Sequence, residues 1–150
     1  MKHCFEATTV AELKERTSRM TPTVERRWGR MNAAQAMAHC AGAFQMASGE
    51  ILPPRKLAGH LLGWAVKPLV FRDDAPMRPN SPTVDALIVQ DERDFTTERA
   101  RLLAAIDRFA AAGPGGCTSH PHAFFGRLTP DEWSILMYKH LDHHLRQFGV

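Results

Sequence analysis

The sequence predicts an all-α protein, a four-helix bundle, and three observations lead to that prediction. Several segments place apolar side chains at the three- and four-residue spacing of a helix face. Residues that start and stop helices stand at the ends of these segments. Regular alternation of apolar and polar residues is absent except in a short candidate strand at 86–90. With 150 residues, of which 44% are hydrophobic, the chain is expected to form one domain spanning residues 1–150.

The first two helices are predicted in the N-terminal third of the chain. Residues 9–20 carry apolar side chains among charged ones, which indicates an amphipathic helix, and a short helical turn is expected to follow through Trp28. The next run, AAQAMAHCAGAFQMAS at 33–48, is rich in alanine and methionine and follows a candidate cap, Asn32. This run predicts a long buried helix that ends near Gly49.

A third helical segment and a long connection follow. Two prolines at 53–54 precede the segment 55–66, which Pro68 is expected to stop. The apolar stretch 57–71 is shorter than the roughly 20 residues of a membrane helix, so it is expected to be a buried helix of the fold. Residues 71–93 hold three prolines and no helical period, which predicts an irregular connection between the third and fourth segments.

The C-terminal part of the chain predicts two further helices with clear ends. Residues 96–112 have apolar side chains at helical spacing, and the sequence GPGG at 113–116 is a stop signal. Thr129 and Glu132 form a capping box around Pro130, because the threonine side chain and the glutamate side chain can each accept from the other residue's backbone N–H. The last helix is therefore predicted to run from Thr129 to about residue 148.

Charge and cysteine content narrow the classes of function. The net charge of +3 comes from scattered basic residues, which do not form the clustered footprint of a nucleic-acid-binding protein. No apolar core follows the first residues, so no secretory signal is predicted and a cytoplasmic location is expected. Three cysteines without a CxxC pair are expected to be reduced thiols.

Three histidines stand close together on the last predicted helix. His140 and His144 are one turn apart, so they share a face with the apolar side chains of that helix. This spacing lets one helix give two imidazoles to one metal ion. His143 falls beside this face, where it is expected to be a boundary residue, a support for a ligand, or a replacement for His140. Three polar residues are expected to point away to water: Lys139, Asp142 and Arg146.

A third ligand must come from another helix, and His39 is the candidate because small side chains surround it in the alanine-rich run. Three protein ligands with an open fourth position are typical of a catalytic metal. The alternative for His39 is a hydrogen-bonded core histidine. Cys40 is expected to be a small core residue rather than a thiolate ligand. His120 and His122, in the loop before the last helix, are either solvated or able to reach the open end of the bundle.

Two stretches, WGRMNAAQAMAHC at 28–40 and HAFFGRLTPDEWSILMYKHLDHHLRQFG at 122–149, resemble the DinB-like (YfiT-like) superfamily of metalloenzymes, in particular a bacterial branch without an assigned function. The resemblance implies a four-helix bundle whose metal is held by one histidine of the second helix and an H-x3-H pair of the last. Carried over by position, the ligands are His39, His140 and His144.

The function expected from the histidines and the resemblance is a metal-dependent enzyme. Some relatives in that superfamily transfer low-molecular-weight thiols, which implies a zinc or nickel ion that activates a thiol or water for transfer to a small substrate, as a thiol S-transferase or a hydrolase. The alternative is a non-catalytic module of the same fold that binds a small molecule or forms a homodimer. Neither nucleic acid nor a membrane is an expected partner.

Overall fold

The computed structural model describes residues 1–150 and shows an all-helical chain without strands. Its five helices are α1 (Ala7–Arg19), α2 (Ala33–Ala47), α3 (Leu57–Val70), α4 (Phe95–Ala112) and α5 (Pro130–Gln147). Two short 3-10 turns occur at Asp85–Leu87 and Pro114–Gly116. The predicted all-α class is confirmed. None of the helices combines the length and the apolar character needed to cross a lipid bilayer.

Four of the helices surround the hydrophobic core. α2 packs most extensively against α4 and also contacts α5, while α1 contacts both α4 and α5. Their large apolar side chains recur at helical spacing and are fully buried, including Phe44, Phe109, Trp133 and Leu145. Burial of each such side chain contributes on the order of 2 kcal/mol to folding. α2 and α5, which carry the candidate ligands, are therefore held side by side by the core itself.

The helix ends follow the local chemistry of the sequence. The Thr129 hydroxyl accepts from the backbone N–H of Glu132, and the Glu132 carboxylate accepts from the backbone N–H of Thr129, which confirms the predicted capping box. α2 begins with a second box, in which Asn32 and Gln35 make the equivalent pair of hydrogen bonds. Both helices that bear the histidines therefore start at residues that the sequence specifies locally.

Two short predictions in the connecting segments are wrong. No helical turn forms through Trp28, because the backbone there bonds to the end of α5: Arg27 N–H donates to the Gln147 carbonyl, and the Gln147 side chain donates to the Trp28 carbonyl. The candidate strand at 86–90 is absent, since the 3-10 turn Asp85–Leu87 inserts Leu87 into the core beside α2. The predicted irregular connection through 71–93 is otherwise confirmed.

The third helix differs from its prediction in length and in burial. It continues through Pro68 to Val70, because a proline in the last turn removes only one helical hydrogen bond. The apolar composition predicts a buried helix, yet Leu57 and Trp64 are each 76% exposed. Only the glycine side of α3 is buried, against the loop 122–126. α3 thus lies outside the group of four packed helices.

Candidate metal centre

The structure brings His39, His140 and His144 together between α2 and α5. One ring nitrogen from each histidine lies within 4.8 Å of those from the other two. The Nε2 atoms of His39 and His140 are 2.9 Å apart, and the ring centroids of the three pairs are separated by 4.7 to 4.9 Å. This three-histidine group can bind a metal ion. Imidazoles from two separate helices converge as the sequence predicts.

Small side chains on α2 make room for this convergence. His39 stands between Ala36 and Ala43, which are both buried on the same side of the helix. His140 and His144 follow each other by one turn on α5, so both rings project toward α2. The close packing of α2 and α5 therefore leaves space for three rings where larger side chains would fill it.

Hydrogen bonds to oxygen atoms fix the orientation of two of the rings. His39 Nδ1 lies 2.7 Å from the Leu87 carbonyl, and His144 Nδ1 lies 2.8 Å from Gln147 Oε1. Gln147 donates its amide Nε2 to the Trp28 carbonyl, so its oxygen is left to accept. Each Nδ1 therefore carries the proton, and each Nε2 presents a lone pair. Metal-ligating histidines are generally oriented by such a contact at the other nitrogen.

The separation of 2.9 Å between the Nε2 atoms of His39 and His140 is compatible with two arrangements. A hydrogen bond between the rings of His39 and His140 has this length if His140 carries its proton on Nε2. Two nitrogens bound to one tetrahedral zinc lie about 3.3 Å apart, given bonds of about 2.0 to 2.1 Å. The observed distance is within a few tenths of an ångström of that value, so the rings of His39 and His140 need to move very little relative to each other to share an ion.

Burial keeps the group electrically neutral. It is the main cause that lowers the pKa of His39 below the usual range, and it lowers the pKa of His144 to about 3. The pKa of His140 is lowered well below its ordinary value by burial first and then by repulsion from the charged forms of His39 and His144. Neutral imidazole is the form that ligates metals, so the protein holds all three rings ready at neutral pH.

The other candidate histidines lie outside the group of three. His143 Nδ1 is bonded to the Met77 carbonyl at 3.2 Å, and its ring packs against the ring of His144. His122 is buried, and its Nδ1 accepts from the backbone of the two following phenylalanines. His120 Nε2 bonds to the Pro53 carbonyl. His122 nevertheless lies near enough to His140 for its charge to contribute to the lowered pKa there.

Two residues predicted to face water are buried. Lys139 is 4% exposed and its ammonium donates to the Val70 carbonyl at 2.7 Å. Asp142 accepts from Arg16 of α1 at 2.8 Å and from Arg146 at 2.7 Å. The prediction fails because α1 covers Asp142 and the C-terminal end of α3 covers Lys139. Arg146 is exposed, as predicted.

Cys40 is buried in the core, as the sequence predicts. Burial raises the pKa of its thiol well above the usual range, so the thiolate needed for metal binding is disfavoured. All three cysteines are free thiols.

Sequence reasoning missed the groups that orient the rings. Gln147 has a local signal, because it follows His144 by three residues on the same helix. The Leu87 carbonyl has none, since it reaches His39 from 48 residues away through an irregular segment.

A family model described as a protein of unknown function, DUF1569, matches residues 6–149 of the chain. No curated protein and no solved structure matches the chain.

Proposed function

The chain belongs to the DUF1569 family, and we propose that it is a metal-dependent enzyme whose divalent ion is held by His39, His140 and His144. The observation that carries the proposal is the convergence of three neutral imidazoles, whose ligand atoms lie within 4.8 Å of one another. Two of these rings have their Nδ1 atoms fixed by oxygen acceptors. Such a donor set is costly to bury without a shared partner.

We further propose that the fold is the four-helix bundle of the DinB-like superfamily. The mutual contacts of α1, α2, α4 and α5 support this, since each of the four packs against two of the others. The positions of the histidines also fit the expected pattern, with one on the second helix and two on the last.

The chemistry proposed for the site is thiol transfer or hydrolysis on a small substrate in the cytoplasm. Three nitrogen ligands suit zinc or nickel, and such an ion with an open position lowers the pKa of a bound thiol or water. The protein's own contribution is to hold the ligating nitrogens in place and keep them unprotonated. A low-molecular-weight thiol is the co-substrate that the superfamily resemblance implies.

Calorimetry with untagged protein tests the metal site. The parent protein is expected to bind one zinc or nickel ion per chain, and His144→Ala is expected to bind it at least tenfold more weakly, because one of three ligands is lost. His60→Ala is the matched control, since His60 is exposed on α3. Absence of metal uptake by the parent, or equal affinities of His144→Ala and the parent, contradicts the proposal. A screen of the loaded protein with thiols and small electrophiles then tests turnover.

The second candidate is a dimeric module, and the outer face of α3 favours it. Five large apolar side chains there are more than half exposed: Leu57, Leu61, Leu62, Trp64 and Leu69. They expose on the order of 500 Å², so two copies face to face bury about 1,000 Å² in total, the lower limit for a stable interface. The face has no charged residue, so a twofold axis brings no like charges together.

Light scattering distinguishes this candidate from a monomer. The parent is expected to have the mass of a dimer, and Leu61→Lys is expected to have that of a monomer, whereas Leu52→Lys, which changes an exposed leucine outside α3, leaves the dimer intact. A monomeric parent eliminates the dimeric module and leaves the metal site untouched.

A further inference from the structure

One arginine of the protein has a buried side-chain nitrogen without a hydrogen-bond partner. Arg55 precedes α3, and its Nε atom is buried without a hydrogen-bond acceptor. The neighbouring cations are paired instead, since Lys56 contacts Asp85 at 3.0 Å and Lys67 contacts Glu132 at 2.8 Å. A buried donor that lacks an acceptor is costly, and native proteins rarely keep one without a reason. Of the four buried side-chain atoms without a partner, Arg55 Nε alone belongs to a charged group, and the chain supplies no acceptor for it.

Arg55 lies in the wall of a cleft between α3 and the loop 122–126. The cleft has a volume of about 580 Å³, which is within the range of small-molecule sites. Its polar lining comes from Arg55, His60, Lys67 and Glu132, and its apolar lining includes three aromatic rings: Trp64, Phe71 and Phe125. The cleft combines an aromatic surface with a fixed positive charge. None of the three candidate metal ligands lines it.

Hydrogen bonds to backbone carbonyls keep the two walls of this cleft in place. The Lys56 backbone N–H donates to the Ala123 carbonyl at 2.9 Å, and the Lys67 ammonium donates to the Arg127 carbonyl at 2.9 Å. The Arg55 guanidinium packs on Gly126, where a Cβ atom would come within 2.8 Å of Nη1. Gly126 has a φ of +75°, which a larger residue adopts only with strain. The Arg55 guanidinium is therefore positioned by the glycine turn on which it packs.

The charges in the cleft favour an anion. Glu132 is occupied, since its carboxylate accepts from Lys67 at 2.8 Å and from the Thr129 backbone N–H at 2.8 Å. The positive charge of Lys67 offsets that of Glu132, and the charge of Arg55 remains. A guanidinium offers paired N–H donors that match a carboxylate, sulfonate or phosphate group.

We propose that this cleft binds a small organic anion, with its acidic group on the Arg55 guanidinium and its apolar body against Trp64, Phe71 and Phe125. The site is separate from the three-histidine group and stands whether or not that group binds a metal. The ligand class is an aromatic or bulky aliphatic acid, because a simple inorganic anion leaves the aromatic surface uncovered. Aromatic side chains with one well-placed polar group are the usual composition of such sites.

Two fluorescent probes with the same ring system test the proposal. 1-Anilinonaphthalene-8-sulfonate carries an anionic group, and N-phenyl-1-naphthylamine is its uncharged counterpart. The parent is expected to bind the sulfonate more tightly than the amine. Arg55→Gln is expected to weaken binding of the sulfonate by about tenfold or more, because a charge-assisted hydrogen bond is lost, and to leave binding of the amine unchanged.

The matched control is Arg108→Gln, which removes the same charge from an exposed position on α4. It is expected to bind both probes as the parent does. Unchanged binding of the amine also shows that Arg55→Gln retains the cleft. The proposal is overturned if the parent binds the sulfonate no more tightly than the amine, or if Arg55→Gln and Arg108→Gln bind the sulfonate equally.

Discussion

The orientation of two imidazoles in the candidate metal centre depends on the groups that accept a hydrogen bond from their Nδ1 atoms. His39 is oriented by a backbone carbonyl, which no side-chain substitution removes. His144 is oriented by the side chain of Gln147, whose amide group is itself fixed by the Trp28 carbonyl. At the scale of single residues, Gln147 is therefore the point at which the ligand geometry can be altered without touching a ligand.

Replacement of this glutamine tests the arrangement. Gln147→Ala is expected to weaken zinc binding by about 10- to 100-fold, because the His144 ring loses the acceptor that fixes its tautomer and orientation. Calorimetry on the untagged protein measures the affinity, and the exposed Gln90→Ala serves as the control. Equal zinc affinities of Gln147→Ala and Gln90→Ala contradict a positioning role for Gln147.

His122 gives the stability of the protein a specific pH dependence. Burial, with a smaller contribution from the charge of Arg55, lowers its pKa to about 4 in the folded protein, against about 6.5 in an unfolded chain. Above pH 6.5 the imidazole of His122 is neutral in both the folded protein and the unfolded chain. Between pH 6.5 and 4 only the unfolded chain takes up the proton, so the free energy of unfolding falls by about 1.4 kcal/mol per pH unit.

His122→Asn is expected to remove this contribution. The asparagine oxygen can still accept from the backbone of Phe124 and Phe125, but it does not titrate. Urea unfolding of His122→Asn and the parent at pH 7 and pH 5 measures how far the free energy of unfolding falls on acidification. This fall is expected to be smaller in His122→Asn than in the parent by about 2 kcal/mol. The exposed His60→Asn is expected to behave as the parent does, and an unchanged pH dependence in His122→Asn refutes the assignment.

At the scale of the elements, α3 has the reverse of the usual amphipathic arrangement. Its small residues Gly59 and Gly63 face the protein, and its large apolar residues face outward. A Cβ atom at Gly63 would come within 2.2 Å of the Phe124 carbonyl oxygen. The helix is thus attached by close backbone contact instead of by interdigitated side chains.

Gly63→Ala tests this mode of attachment. Alanine is the better helix former, yet the substitution is expected to lower the free energy of unfolding by about 1 to 3 kcal/mol, because the added methyl group has no space. Urea unfolding measures the global effect, and amide hydrogen exchange across 57–70 measures the detachment of α3. Gly115→Ala, where nothing lies within 4 Å, is the control and is expected to be tolerated. A stabilised Gly63→Ala variant contradicts the close contact.

The pairing of Arg16 with Asp142 connects α1 to α5 on the side away from the histidines. Both side chains are largely buried, and the Arg16 guanidinium also donates to the Val150 carbonyl. Asp142→Ala is expected to lower the free energy of unfolding by about 2 kcal/mol, because the buried Arg16 guanidinium loses its closer carboxylate and keeps only the more distant one, that of Glu12 at 3.4 Å. Urea unfolding measures the change.

The control for this prediction is Glu15→Ala on α1. It breaks only an exposed contact with Arg19, at 3.9 Å, and is expected to change stability little. Equal effects of Asp142→Ala and Glu15→Ala contradict a structural role for the buried pair.

At the scale of the whole molecule, the candidate metal centre joins two helices that are far apart in sequence. His39 and His140 are separated by 101 residues, so an ion between them is available only to the folded chain. Zinc at about 100 times its dissociation constant is expected to raise the free energy of unfolding by about 2.7 kcal/mol. Thermal unfolding with zinc and then with a chelator measures this change. A His39→Ala variant that zinc stabilises as strongly as the parent disproves the shared site.

The sequence by itself determined the helices and the face on which His140 and His144 stand. Periodicity, capping boxes and stop signals act within a few residues, so they can be recognised in the sequence without knowledge of the rest of the chain. The alanine residues around His39 can also be recognised in the sequence, because they are its neighbours on the same helix. The sequence also indicated that residues 71–93 are irregular, because prolines act locally.

Only the tertiary structure decided which faces are covered. Lys139 and Asp142 look solvent-facing on a helical wheel, but other segments cover them. α3 looks like a core helix from its composition, yet it packs through glycine and leaves its leucines outside. The Leu87 carbonyl reaches His39 through an irregular segment. Burial depends on contacts between residues far apart in the chain, and no local pattern records which distant segment supplies them.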